Sequence, residues 1–180
     1  MRLFKDPLLT AARWLINFGI AVFGFVIAAV TIGLPIALLN QDRIVAELVR
    51  DGKTVVAPDL FLGLSTVLIG VVLVLGLAIW FLFLLRQIVG TVEGGDPFIR
   101  ENADRLAKMG WITLAAELIQ IPLVAAVIWI AGMVEDGDSV RVDDDVSFDG
   151  SGIVLILVLF ILARVFRQGA AMRDDLEGTV

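Results

Sequence analysis

Three stretches of this chain stay apolar far longer than a helix in a water-soluble core requires: Trp14 to Leu39, Leu60 to Leu85 and Trp111 to Val134. About 20 residues, rising 1.5 Å each, cross the roughly 30 Å of hydrocarbon in a bilayer, where every peptide group must be satisfied within its own segment. Each stretch therefore predicts a transmembrane helix. A fourth, over 152–168, carries eleven uncharged apolar residues before Arg164. It crosses only if that guanidinium snorkels to the headgroups or is paired inside the bundle. The first run is about twice as long as the 7 to 15 residue core of a signal peptide, so it reads as a span.

Composition agrees. Apolar side chains make up 59% of the 180 residues and the mean hydropathy is +0.95, against about 45–50% apolar usage in soluble domains. With no Cys and no His, thiol nucleophiles, disulfides, imidazole metal sites and His-based triads are excluded. A formal charge of −6 argues against direct nucleic-acid binding.

The basic residues give a direction. Arg2, Lys5 and Arg13 precede span one, Arg86, Arg100, Arg105 and Lys108 lie between spans two and three, and Arg164, Arg167 and Arg173 end the chain, ten in all. The opposite side has four, Arg43, Arg50, Lys53 and Arg141. The positive-inside bias then places both termini in the cytoplasm. The acidic segment Glu135 to Asp149, with seven acids, falls outside.

Small and hydrogen-bonding residues mark faces where membrane helices meet. In span one Asn17, Ala21, Gly24, Ala28 and Thr31 form such a stripe, and in span two Gly63, Thr66 and Gly70 form a shorter one. Span three holds Thr113, Glu117 and Gln120 on one face, with Glu117 roughly 9 Å along the axis from Trp111. Arg164 is its natural partner, since pairing offsets the cost of each buried charge. Pro122 should loosen the helix beside this site, because it lacks an amide donor and crowds the preceding turn.

The inner loop reads GDPFIRENADRL from Gly95 to Leu106. Asp96 fits a helix N-cap and Pro97 the first helical position. Phe98, Ile99, Asn102, Leu106 and Met109 then share a face opposite Arg100, Asp104 and Lys108, the pattern of a short amphipathic helix at the membrane surface. On the outer side Thr54 to Val56 and the alternation Val140, Val142 suggest short extended pieces. Asp145, Ser147, Asp149 and Gly150 imitate the first half of a calcium loop, but Ile156 stands where its bidentate Glu belongs. A solvated acidic loop without a metal is the expectation.

The string GDPFIRENADRL, Gly110 with Trp111, and the C-terminal string ILARVFRQGAAMRDDLEGTV resemble the domain of unknown function 2975 family of small four-span bacterial membrane proteins. Asp96, Pro97, Phe98, Asn102 and Leu106, then Phe166, Arg167, Gly169, Arg173, Asp174, Asp175, Leu176 and Val180 carry the likeness. The resemblance implies no established reaction, cofactor or catalytic residue. Family members often stand beside small helix-turn-helix regulators, which implies a cytoplasmic regulatory protein as partner.

The expected fold is therefore all-α, a four-helix transmembrane bundle forming one membrane domain, with a short cytoplasmic amphipathic helix and a small extracytoplasmic loop region. The expected function is non-enzymatic regulation or sensing in the inner membrane, with Asp96, Pro97, Phe98, Asn102, Arg173, Asp174, Asp175 and Leu176 as partner contacts. The alternative is a small transporter or channel subunit using Glu117 and Gln120. Removal of residues 170 to 180 is expected to leave folding nearly intact, as for other exposed terminal backbone, and to abolish partner capture.

Overall fold

The computed structural model describes residues 7–50, 57–133 and 150–177. Five helices follow in order: α1 (Pro7–Leu39), α2 (Gln41–Arg50), α3 (Ala57–Glu93), α4 (Arg100–Met133) and α5 (Ser151–Glu177). No strand occurs among the described residues. Both extended pieces, the calcium-like string up to Asp149 and the acidic segment lie outside them. Four helices, all but α2, are long and apolar enough to cross a membrane.

These helices are longer than their apolar runs. With 33, 37, 34 and 27 residues, α1, α3, α4 and α5 measure about 50, 55, 51 and 40 Å, against roughly 30 Å of hydrocarbon. The surplus includes Pro7 to Arg13, Arg86 to Glu93, Arg100 to Gly110 and Gly169 to Glu177, segments whose polar residues put them outside the predicted spans. Helical structure persists there because nothing breaks it before Gly94 and Gly95. Pro122 lies within α4, and the helix continues through it.

The first packed unit comprises the described parts of residues 1–24, 77–116 and 150–180. Leu84 and Ile88 of α3, Leu106, Met109 and Ile112 of α4, and Leu159 and Ala163 of α5 are buried against one another. Arg100 to Gly110 are the opening turns of α4 itself, where Ala103, Leu106 and Met109 belong to the core. The amphipathic stretch thus runs straight into span three as one helix, with part of its apolar face covered by protein.

The second unit comprises the described parts of residues 25–76 and 117–149. Here α3 meets α4 across small residues, as the sequence suggests. A methyl group at Gly63 would stand 2.6 Å from the Ile130 side chain, and one at Gly70 would stand 2.6 Å from Leu123. Asn40 joins α1 to α2. Its amide and side chain donate to the last carbonyls of α1, while its own carbonyl accepts from Arg43 and Ile44 at the start of α2.

The small-residue stripe of α1 does not form the expected inner face. Ala21, Ala28 and Thr31 are exposed, and among the described residues no other helix comes within 4 Å of a methyl group placed at Gly24. Thr31 satisfies its hydroxyl within the helix by donating to the Ile27 carbonyl at 2.7 Å. Its polarity therefore demands no neighbouring helix.

Candidate functional site

In the first unit, the start of α1, the link from α3 to α4 and the last turns of α5 lie at one end. Glu93 closes α3 opposite Arg13 of α1, 2.5 Å from its guanidinium. Beyond it the chain reverses in a glycine-dependent cap: Gly95 N–H donates to Val92 and Asp96 N–H to Thr91, with Gly95 at φ 81°. This is the Schellman arrangement, in which the left-handed residue is most often glycine.

That cap changes the role expected of Asp96. Its amide is bound to the end of α3, and α4 begins at Arg100, so Asp96 and Pro97 stand before the helix rather than at its N-cap and first turn. The Asp96 carboxylate instead accepts from Arg173 of α5. The Pro97 carbonyl accepts from the Asn102 side chain at 2.9 Å.

Asn102 is fully buried and its side chain is satisfied at both ends. Its Nδ2 also donates to Thr91 Oγ1 at 2.6 Å, and its Oδ1 accepts from Arg105 at 2.6 Å. Arg105 in turn donates to Gln87 Oε1 at 2.9 Å, and the Thr91 hydroxyl donates to the Ile88 carbonyl at 2.7 Å. One amide thus ties the end of α3, the link and the start of α4. A buried polar group is tolerated when it is bonded this completely.

Phe98 projects onto α5. Its ring lies 5.1 Å from that of Phe166 between centroids, and a methyl group at Gly169 would stand 2.8 Å from Phe98 Cδ1. Only glycine leaves room for the ring at this point. Two further ion pairs flank the Arg173–Asp96 contact: Arg100 with Asp174 and Arg167 with Asp104, each at 3.1 Å. These pairs are largely solvent-exposed and contribute about 0–1 kcal/mol each. Gly169→Val should displace Phe98 and lower stability by about 1–2 kcal/mol through overpacking. Detergent-phase melting, with limited proteolysis of the loop, measures it.

Loop and helix end enclose an open hollow of about 280 Å³, lined among others by Asp96, Arg100, Glu101, Arg173 and Asp174. Among the described residues, no group of three or more Asp or Glu side chains is placed to hold a metal ion.

Of the eight residues expected as partner contacts, Asp96, Pro97, Phe98, Asn102, Arg173 and Asp174 are thus engaged within the chain. Leu176 faces outward, as does Met172 one turn before it, at 71% and 63% exposure, and Asp175 is exposed. Sequence reasoning did not single out Thr91, Gln87 or Arg105. The one signal for the clamp was the complementary placing of Arg100 and Asp104 in one string and Arg167, Arg173 and Asp174 in the other.

Glu117 belongs to the second unit and Arg164 to the first. Glu117 is half-buried, while Gln120 and Arg164 are exposed. The four ion pairs formed among the described residues involve other side chains. Arg164 follows buried Ala163 on α5. Thr113 donates to the Met109 carbonyl at 2.9 Å.

No curated protein and no solved structure matches the chain. The family model described as Protein of unknown function (DUF2975) matches residues 40–180. That range holds the glycine cap, Asn102, Phe98 and the α5 residues clamped to them, and with most of its length matched the chain belongs to this family.

Proposed function

We propose that this chain is a non-enzymatic, multi-pass protein of the cell (inner) membrane that regulates or senses through protein contacts. Its termini face the cytoplasm, as the ten-to-four division of basic residues supports, and the clamped end is its working surface. The observation that carries the reading is the clamp itself. Three ion pairs and an aromatic contact hold the second half of α5 to the link between α3 and α4 and to the opening turns of α4, chemistry that crossing a bilayer does not require.

The contact surface shifts accordingly. Asp96, Phe98 and Asp174 serve to position the end of α5, and Met172 and Leu176, one turn apart on its outward side, offer the apolar anchors that a protein interface uses. The family resemblance supports a cytoplasmic helix-turn-helix regulator as partner, so that the chain itself binds no nucleic acid.

A photoreactive residue at Met172, with one at Val49 of α2 as control, tests this in native membranes. The reading expects a DNA-binding regulator joined to the Met172 probe alone, with its yield altered by Arg173→Gln. Products limited to lipid, or identical from both probes, would contradict it.

A further inference from the structure

Eight basic residues of the first unit are described, and they fall into two sets. Arg13, Arg100, Arg105, Arg167 and Arg173 each bond an acid or an amide within the chain. Arg86, Lys108 and Arg164 are exposed, and none is in an ion pair among the described residues.

The register of two helices puts two of these three at nearly one level. Helices α4 and α5 run antiparallel, with Trp111 edge-on to Phe160 at 5.5 Å between ring centroids and Asp104 paired with Arg167. The contacts lie seven residues apart on both helices. Between them, Arg164 stands four residues past Phe160 and Lys108 four past Asp104, so the two cations reach nearly the same level. Steps of three and four keep each on the face of its flanking contact residues. Asp104, a carboxylate on that face, is held by Arg167.

Two cations at one level on adjoining helices favour an anion held between them. Their surroundings indicate where that anion comes from. Trp111, one turn away, is exposed at the point where the apolar run of α4 begins, and Ile161, Leu162 and Val165 beside Arg164 are exposed as well. An exposed tryptophan next to outward apolar side chains and cations is the chemistry of the membrane–water boundary.

We propose that Lys108 and Arg164 form a two-pronged site for the phosphodiester of an anionic glycerophospholipid, with its acyl chains along the α4–α5 flank. The guanidinium offers forked donors to the phosphate oxygens, and the ammonium adds a point charge. At roughly fivefold for each cation near the surface, the site prefers an anionic lipid over a zwitterionic one by about thirtyfold.

The test uses the full-length protein in neutral detergent and native mass spectrometry, with dioctanoyl phosphatidylglycerol, dioctanoyl phosphatidylcholine and inorganic phosphate as probes. The wild type retains phosphatidylglycerol preferentially, and Lys108→Gln with Arg164→Gln brings the ratio close to one. Arg86→Gln, which removes a single cation on α3, leaves the preference within about threefold of wild type. Equimolar inorganic phosphate does not displace the lipid. An unchanged ratio in a double variant that melts normally overturns the proposal, and displacement by inorganic phosphate assigns the site to a free anion instead. If the double variant does not fold, the single variants decide: each loses roughly fivefold, and two unchanged ratios refute the site.

Discussion

Asn102→Ala should lower the stability of the first unit by about 2–3 kcal/mol, the largest loss expected from any single polar substitution in the chain. The amide has no exposure and meets Thr91, Pro97 and Arg105 at once. Alanine leaves the Pro97 carbonyl and an Arg105 donor without this partner, and stranding a buried polar group costs about 1–3 kcal/mol. Thr91→Val removes one member and should cost about 1 kcal/mol. Because both changes strike the same network, the double variant should lose less than the two single losses added together. Equilibrium unfolding in mixed micelles measures all three. A loss below about 0.5 kcal/mol for Asn102→Ala would mean that the network does not hold the link in place.

Deleting residues 170–180 should lower stability by about 1–3 kcal/mol. The sequence reading expected almost no effect, because terminal backbone beyond an apolar run is usually exposed and dispensable. The structure gives the segment work to do: Ala170 is buried, Arg173 binds Asp96 and Asp174 binds Arg100. Two exposed ion pairs contribute about 0–1 kcal/mol each, and loss of the Ala170 side chain from its buried position adds to them. Part of the loss should disappear in 1 M salt, where the Debye length falls to about 3 Å. Thermal melting of full-length and truncated protein at low and high salt checks this. A truncated chain that melts with the full-length one at low salt would show that the clamp adds no stability.

Why the membrane helices were legible and their ends were not follows from what each part buries. A run such as Leu60 to Leu85 has no alternative in water, so its length alone announces it. The turns from Arg86 to Glu93 and from Gly169 to Glu177 mix charged and apolar residues, and whether they stay helical depends on the neighbours that cover them. Helix α2 was missed for a related reason. Its ten residues carry Ile44, Val45, Leu48 and Val49 at helical spacing, but the run is too short and too charged to stand out beside the spans.

The candidate site divides in the same way. Gly94 and Gly95 were recognisable as the end of the second span, and Gly95 takes the left-handed backbone that favours glycine. That Asp96 would spend its amide on Thr91 and its carboxylate on Arg173, 77 residues away, is set by packing that no local spacing encodes. Asn102 was placed on an apolar face by periodicity, and its complete burial follows from that placement. Its bonds to Thr91 and Pro97 depend on a chain reversal that periodicity does not describe.

The central claim is that the link between α3 and α4 is closed on the end of α5 in the membrane-embedded protein. Since the chain has no cysteine of its own, a Cys pair introduced at Asp96 and Arg173 can be bridged by a short bis-thiol reagent in intact membranes, with Asp96 and Ser151, at the far end of α5 about 33 Å from Arg173, as the control pair. The account predicts rapid intramolecular bridging of the first pair and none of the second, with bridging slowed by Gly169→Val. Failure of the 96–173 pair to bridge while both thiols remain reactive to a monofunctional reagent would contradict it.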